Sequence, residues 1–448
     1  MQSRRDMLQA SVGLVGVAAL GSASPASATP GPVNATSSGL NGPASPLQKQ
    51  LREDMETYAA FGSKLSGSPG DLAAARWIGE RLGAAGFDVN QVDFPIPVFE
   101  PGVSELRFGS KHVPVAAQPV VITTPPAGLT APAVLVRDAF EARAVTGKIA
   151  IVVLPYGRHA AIFTGDAKLM LDQVIPHKPA AIVIVTTGPT GNIIALNTRL
   201  KPIAEVPIAL MAPRDLPAVV EAVAAQRPLT LVLTGKSATG NSCNILARRL
   251  AGPKWLAFST PRSGWGLCVG ERAPGTAAFL ELCRWAAIRY PDHSLFAINA
   301  GGHELDFAGA HHSLSEGPPP AQTQVWTHLG AGLATRDAYE VLGRNRQLLS
   351  TADPQRVLMS SHSLMADATS AFRGLAGYEQ PIEVVGGAGE LSSIIDRGYA
   401  NAFAGLGIHR WCHVADDTID KVDAALLEPV VEAHRAVIES VVGRAVRS

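Results

Sequence analysis

The sequence predicts an α/β fold in which a mostly parallel mixed sheet is covered by helices on both faces, with an inserted β-rich module. Apolar strand patterns lie at 255–258 and 295–300. They alternate with helical patterns at 275–290 and 426–442. This alternation is typical of parallel sheets packed between helices. Between 101 and 240, short β-branched runs are separated by turn-rich pieces, which predicts the module.

The β-branched runs of the module lie at 119–122, 148–153 and 181–185, and each is expected to form a strand. Before the module, apolar residues recur at helical spacing up to Leu82. We expect Asp71 to cap the helix that ends there, because a carboxylate can accept hydrogen bonds from the free N–H groups of a first turn.

The first 28 residues have the pattern of an export signal. Arg4 and Arg5 precede a short apolar run at 12–20, and residues 26–28 offer the small side chains that a signal peptidase needs. The arginine pair favours a twin-arginine signal, which the export machinery recognises and which is not an anchor. An ordinary secretory signal is the alternative. Both predict a periplasmic or secreted protein without a membrane span.

Composition and pattern divide the rest of the chain into a linker, a main domain and a β-rich module, and the balanced charge argues against a nucleic-acid partner. Residues 29–45 are rich in Pro, Gly, Ser and Ala and are expected to form a linker. The main α/β domain is expected to comprise 46–105 and 241–448, and the β-rich module 106–240. Lys+Arg and Asp+Glu both number 38, so no basic excess exists to bind nucleic acid.

Four cysteines are present, an even number in a chain expected to be exported. They are equally expected to form one or two disulfides or to remain buried free thiols. Cys268 and Cys412 are close in sequence to the predicted site residues described next. We expect packed thiols at both positions, with bridging or metal ligation as the alternative.

Carboxylate and imidazole side chains follow several of the predicted strands. In open α/β sheets, chemistry gathers beyond the carboxyl ends of the strands, so these side chains are expected to lie together. Zinc takes oxygen and nitrogen ligands, and a catalytic zinc keeps one position open for water. The pattern therefore predicts a hydrolytic metal site, although each residue alone also suits a structural role. The carboxylates and imidazoles are Glu271, His303, Glu304, His328 and His413, and Arg272 directly follows Glu271.

Three segments resemble the co-catalytic zinc aminopeptidases, a family that also includes the glutaminyl cyclases. Residues 65–82 look like the opening helix of that family, and 147–208 are similar to the protease-associated domain often inserted in these enzymes. Residues 413–422, His-Val-Ala-Asp-Asp-Thr-Ile-Asp-Lys-Val, closely match its terminal histidine motif and are the most specific part. The resemblance implies a metal-dependent hydrolase of amide or peptide bonds, acting on a small molecule or a short peptide.

The site of this chain departs from the family pattern at several positions. The His-x-Asp ligand motif falls on 259–261, Ser-Thr-Pro, so the first imidazole is missing. The bridging aspartate falls on Glu271, and the Glu-Glu pair of base and ligand falls on His303 and Glu304. The later ligand aspartate falls on His328, whereas the final ligand His413 is retained.

These correspondences imply a role for each residue. Glu271, Glu304 and His413 are expected to hold one zinc ion, and His328 is a further candidate ligand. Because serine is a poor zinc ligand, one ion rather than two is expected, with another divalent transition metal as the alternative. His303 is expected to act as the general base, and Arg272 to stabilise an oxyanion or a substrate carboxylate. The predicted substrate-binding residues are Ser259, Arg262, Trp265 and Trp411.

Two other functions fit the same residues. The metal could assist cyclisation or elimination, as in the glutaminyl cyclases, or the chain could be a non-catalytic binding protein on a degenerate peptidase scaffold. A serine triad around Ser259 is disfavoured, because no Gly-x-Ser-x-Gly turn surrounds it.

Overall fold

The computed structural model describes residues 43–341, 345–384 and 389–445. The predicted export signal and most of the predicted linker lie outside these residues. None of the helices in the described part combines the length and the apolar character that crossing a bilayer requires.

The described part contains one large sheet, a separate two-stranded sheet formed by two short strands, and helices on both faces of the large sheet. The helices are α1 (Pro46–Ala60), α2 (Pro69–Ala84), α3 (Ala139–Ala142), α4 (Gly165–Val174), α5 (Leu216–Ala224), α6 (Val269–Arg289), α7 (Ala308–Ser313), α8 (Met365–Ala371), α9 (Gly389–Ile395) and α10 (Ala424–Ala445). The strands are β1 (Asp88–Phe108), β2 (Lys111–Ala117), β3 (Leu129–Ala131), β4 (Ala133–Val136), β5 (Ile149–Val153), β6 (Ala181–Val185), β7 (Ile208–Met211), β8 (Leu229–Arg249), β9 (Trp255–Pro261), β10 (Ser294–Ala300), β11 (Thr323–Leu329), β12 (Arg336–Val341), β13 (Asn345–Ala352), β14 (Arg356–Ser360), β15 (Ile382–Glu383) and β16 (Ala402–Gly407).

One mixed sheet of 14 strands runs through the molecule in the order β15-β14-β16-β11-β9-β10-β8-β1-β2-β7-β6-β5-β4, with β3 beside β8. Strands β16, β11, β9 and β10 are parallel to one another, and so are β7, β6, β5 and β4. The antiparallel strands β8, β1 and β2 lie between these two blocks. The predicted mixed sheet with parallel strands is confirmed.

The long strands β1 and β8 join the two blocks. Each has 21 residues, and they pair with each other along most of their length. The predicted module boundaries, at 105/106 and 240/241, fall inside these strands, so the β-rich part continues the main sheet. It nevertheless packs two apolar clusters of its own, one on each face of β5 and β6.

Alternate residues of the central strands face two different cores. Leu256 and Phe258 of β9 pack with α1, α2, α6 and α10, whereas Ala257 packs with α7 and α9. Strand side chains alternate between faces, so a strand that is apolar at every position must be covered on both sides. The helices therefore cover both faces of the sheet, as the sequence predicts.

Most predicted elements form, with two corrections. The predicted helices at 275–290 and 426–442 correspond to α6 and α10. The run at 119–122 is not a strand, so that prediction was wrong; it follows the end of β2 as an irregular segment. Ser68, not Asp71, caps α2: its hydroxyl accepts from the Asp71 N–H. Asp71 is instead used by a buried arginine, as described below.

Candidate active site

Glu271, Arg272 and His413 form the centre of the candidate site. Glu271 and Arg272 lie in the first turn of α6, and His413 lies in the loop after β16. The Nε2 atom of His413 is 3.2 Å from Oε1 of Glu271, and Nη2 of Arg272 is 2.7 Å from the same oxygen. Burial alone would raise the pKa of Glu271, but Arg272 and His413 outweigh it and hold that pKa well below its usual range. Glu271 is therefore a carboxylate.

The imidazole of His413 has a defined orientation. Its Nδ1 lies 2.9 Å from the carbonyl oxygen of Ala195, and a carbonyl can only accept, so Nδ1 carries a proton. In a neutral ring Nε2 would then direct a lone pair at the Glu271 carboxylate. Two acceptors 3.2 Å apart repel each other unless a proton or a cation lies between them. Burial opposes charging of the ring, yet Cys412 and Glu271 raise the pKa of His413 well above its ordinary value.

A group suited to metal binding lies at this point. The potential ligand atoms of Glu271, Cys412 and His413 lie within 4.8 Å of one another, and all three residues are buried. Within the described part of the chain, Oε2 of Glu271 has no hydrogen-bond partner. A buried carboxylate oxygen without a partner is costly, so it is the atom best placed to accept a cation.

Glu304, the other predicted carboxylate ligand, does not belong to this group. Its Oε1 accepts from the backbone N–H of Ser66 at 3.0 Å and from the Ser66 hydroxyl at 2.5 Å. Its Oε2 accepts from the Ser263 hydroxyl at 2.7 Å. The carboxylate thus joins the segment before α2 to the loop after β9.

His303 and His328, two further predicted residues, are joined by an acid that the sequence did not reveal. Glu390 of α9 is buried, with Oε1 at 2.8 Å from Nδ1 of His303 and Oε2 at 3.8 Å from Nε2 of His328. Burial would raise the pKa of Glu390, but the hydrogen bond from His303 and the charges around it lower it. Glu390 lies at no strand end and in no motif, so no sequence signal marked it.

His328 and Ser259 form a closed polar chain on the interior side of the site. The Trp326 indole donates to the Ser259 hydroxyl at 2.8 Å, and that hydroxyl is 2.8 Å from Nδ1 of His328. Burial lowers the pKa of His328 to about 4, so the ring is neutral near pH 7. Ser259, predicted to contact substrate, is thus placed as a support for His328.

Of the remaining predicted substrate-binding residues, two are buried and one is half-buried. Arg262 is fully buried, and its guanidinium donates to Asp71 and Asn299, each at 2.7 Å, and to the Cys243 carbonyl at 2.8 Å. Trp411 is only 2% exposed and packs in an apolar cluster under the loop that carries His413. Trp265 is half-buried, and its indole donates to Asn197 at 2.9 Å.

A segment of the β-rich part, residues 192–198, contacts three loops of the site; we call it the strap. The Ala195 N–H donates to the His413 carbonyl at 2.9 Å, while the Ala195 carbonyl accepts from the His413 ring. The Thr198 N–H donates to the Glu304 carbonyl at 2.8 Å. Together with the bond from Trp265, these contacts make the β-rich part a structural component of the site.

Asp417 fixes the loop of His413 against the beginning of α6. Its carboxylate accepts from the N–H groups of Gly270 at 2.8 Å and Glu271 at 3.1 Å, which have no partners within the helix. Burial and the nearby Glu271 raise the pKa of Asp417 well above its ordinary value, against the lowering effect of these N–H groups. This cap holds Glu271 and His413 side by side.

Replacing Gly270 with alanine is expected to disrupt this cap. The added Cβ would lie 2.4 Å from Oδ1 of Asp417 and 2.9 Å from Cε1 of His409. We expect a loss of about 1–3 kcal/mol in the free energy of unfolding, as for overpacked sites, measured by urea denaturation. Gly83→Ala in α2 is the control, because its Cβ would meet nothing within 4 Å. Equal stability of the two variants would contradict the prediction.

The four cysteines are free and buried, so the expectation of free thiols is the one that the structure shows. They are Cys243, Cys268, Cys283 and Cys412.

Comparisons with known proteins identify the fold. A comparison with protein-family models gives no match, and neither does a comparison with curated proteins. Among solved structures, BSAP, a zinc aminopeptidase from Bacillus subtilis, is similar with a TM-score of 0.69 at 15% identity, covering 88% of this chain and 94% of that chain. A peptidase M28 precursor from Shewanella amazonensis SB2B has a TM-score of 0.67 at 15% identity, with 88% and 94% covered.

An aminopeptidase from Aneurinibacillus sp. strain AM-1 is also similar, with a TM-score of 0.62 at 16% identity, covering 88% of this chain and 93% of that chain. The resemblance inferred from the sequence is therefore confirmed for the fold. At such identities the likeness concerns the fold alone, and the chemistry has to be argued from the residues of this chain.

Proposed function

We propose that this protein is an exported hydrolase of amide or peptide bonds that depends on one divalent metal ion, zinc being the expected ion. The observation that carries the proposal is the pair of Glu271 and His413. Their facing atoms, 3.2 Å apart, need a proton or a metal cation between them, and the other oxygen of this buried carboxylate has no hydrogen-bond partner in the described part of the chain. The zinc aminopeptidase named among the similar structures agrees with this chemistry.

The residues present fit one ion and not two. Glu271 and His413 can hold a cation once Nε2 of His413 releases its proton, because a carboxylate oxygen and a ring nitrogen then offer lone pairs at one point. A second ion in the family arrangement would need a ligand at Ser259, whose hydroxyl is held by Trp326 and His328. The Arg272 guanidinium, 2.7 Å from the Glu271 oxygen that faces His413, adds a fixed positive charge that further limits the number of cations the site can hold.

A metal ion held here would act as a Lewis acid, which polarises a substrate carbonyl and makes water a better nucleophile. The chain supplies the proton transfer. Glu390 accepts the Nδ1–H of His303, which leaves the lone pair of Nε2 free to take a proton from the attacking water and return it to the leaving amine. The His303 side chain is 17% exposed, so solvent and substrate can reach it.

Arg272 supplies a positive charge that complements the developing oxyanion. Its guanidinium is buried, and within the described part neither Nη1 nor Nη2 makes a hydrogen bond of good geometry, although Nη2 forms the ion pair with Glu271. Its Nε donates to the Ser263 carbonyl at 2.8 Å, which fixes its position. A preorganised cation of this kind lowers the energy of a negatively charged transition state.

The Arg272–Glu271 ion pair also favours a second candidate, a non-catalytic binding protein. In that case the guanidinium would neutralise Glu271 permanently, and no metal would be needed. Metal content separates the two candidates.

The test uses the purified mature protein, treated with chelator and then titrated with zinc. We expect one zinc ion per chain by elemental analysis, and hydrolysis of peptide and amide substrates that is lost with chelator and restored by zinc. Incorporation of labelled water into the product distinguishes hydrolysis from cyclisation or elimination. Glu271→Gln should lose the ion, whereas the surface control Glu432→Gln on α10 should keep it. A folded protein that binds no zinc would refute the hydrolase and support the binding protein.

A further inference from the structure

Cys412 is placed where the metal site needs a third ligand. In an extended chain, neighbouring side chains point to opposite sides. His413 instead has a φ of 61°, in the left-handed region that few residues other than glycine adopt. With this backbone, the Cys412 sulfur, a ring nitrogen of His413 and a Glu271 oxygen lie within 4.8 Å of one another.

The carboxylate that the family pattern assigns to this role is used elsewhere. Glu304 accepts three hydrogen bonds from Ser66 and Ser263, which satisfy both of its oxygens. Moving it to a metal would leave these buried donors without partners, which is costly. Cys412 is 6% exposed and forms no disulfide, and its thiol hydrogen-bonds to His413, a residue of the same site.

The three atoms also form a coherent donor set. A catalytic zinc site takes three protein ligands and leaves a fourth position open, and sulfur, nitrogen and oxygen donors all suit zinc. Within the described part, Oε2 of Glu271 lacks a partner, so a donor atom is available without breaking a hydrogen bond. Building on the proposed function, we propose that the Cys412 thiolate is the third protein ligand of the single metal ion held by Glu271 and His413.

Two consequences follow. The thiol proton, and the proton between His413 and Glu271, must be released to solvent when the ion binds, so binding becomes tighter as the pH rises. A thiolate also favours zinc, cobalt and cadmium over magnesium, calcium and manganese. Arg272, next to Glu271, compensates part of the negative charge that two anionic ligands bring together.

The experiment replaces zinc with Co²⁺, whose spectrum reports its ligands. Visible d–d bands show that cobalt is bound, and an intense near-ultraviolet charge-transfer band shows that a thiolate binds it. We expect both in the wild-type protein. Cys412→Ser should lose the near-ultraviolet band, whereas Cys268→Ser, a buried thiol close to Glu271, should keep it. Glu304→Gln should keep the band and one cobalt ion per chain.

The outcomes separate the role of Cys412 from the proposed metal-dependent hydrolase. If the wild-type protein binds cobalt without the near-ultraviolet band, Cys412 is not a ligand, but the proposed hydrolase is unaffected. The same holds if the band persists in Cys412→Ser. If neither the wild-type protein nor any variant binds cobalt, both proposals are wrong. If Cys412→Ser does not fold, a band that persists in Cys243→Ser, Cys268→Ser and Cys283→Ser assigns the thiolate to Cys412, because the chain has four cysteines.

Discussion

Replacing Arg262 with methionine is expected to lower the free energy of unfolding by about 3–5 kcal/mol, because it leaves a buried carboxylate without its counter-charge. Arg262 and Asp71 are both fully buried and form an ion pair of 2.7 Å. Asp71 also accepts from the Gly67 N–H and the Ser242 hydroxyl, so one carboxylate joins α2, β8 and the loop after β9. Urea unfolding followed by circular dichroism measures the change.

A surface ion pair provides the control for this variant. Arg289 and Glu439 lie 3.4 Å apart with side chains 58% and 48% exposed. Exposed pairs contribute about 0–1 kcal/mol, so Arg289→Met should change little. If Arg262→Met were as stable as this control, Arg262 could not have the structural role assigned to it, and a substrate-binding role would regain support.

Replacing His303 with alanine is expected to lower kcat by about 10²–10⁴-fold while metal content stays the same, because a general base contributes about that much. Glu390→Leu should lower kcat as well, since it removes the carboxylate that receives the Nδ1–H of His303. Steady-state kinetics together with elemental analysis measure both quantities. Measuring kcat and metal content separately is necessary, because His303 is close to the metal site and could be mistaken for a ligand.

His311→Ala is the matched control, because this histidine is exposed on α7, not far along the chain from His303. It should leave kcat unchanged. Loss of the metal from His303→Ala would identify His303 as a ligand, and an unchanged kcat would exclude it as the base.

The arrangement of the site shows how far local pattern predicts chemistry. The sequence indicated that residues after β9, β10, β11 and β16 would meet at one sheet edge, and Glu271 and His413 do meet there. It did not indicate Glu390, because a buried acid in a short helix has no distinguishing pattern, and although Asp417 lies in the 413–422 motif, its role as the cap of α6 was not predicted. It also placed Ser259 and Arg262 at the substrate, whereas their partners lie in the interior.

The extent of the β-rich part was also only partly predictable. Runs at 149–153 and 181–185 formed strands because they are apolar at every position and are covered on both faces. That β1 and β8 would extend through both parts of the sheet was not evident, since their exposed halves carry polar residues and glycine. The contacts of the strap with His413 and Glu304 likewise depend on backbone groups, which no side-chain pattern reveals.

The sequence by itself determined the alternation of strands and helices and the four segments that carry the site. The spacing of apolar residues and the residue types that follow each strand are local properties of the chain, so both can be read from the sequence. Only the tertiary structure decided which acids and thiols are available to a metal. Ser66 engages Glu304 from 238 residues away, and His413 meets Glu271 from 142 residues away. A hydrogen bond saturates an oxygen whatever its position in the chain, so availability is a property of the folded molecule.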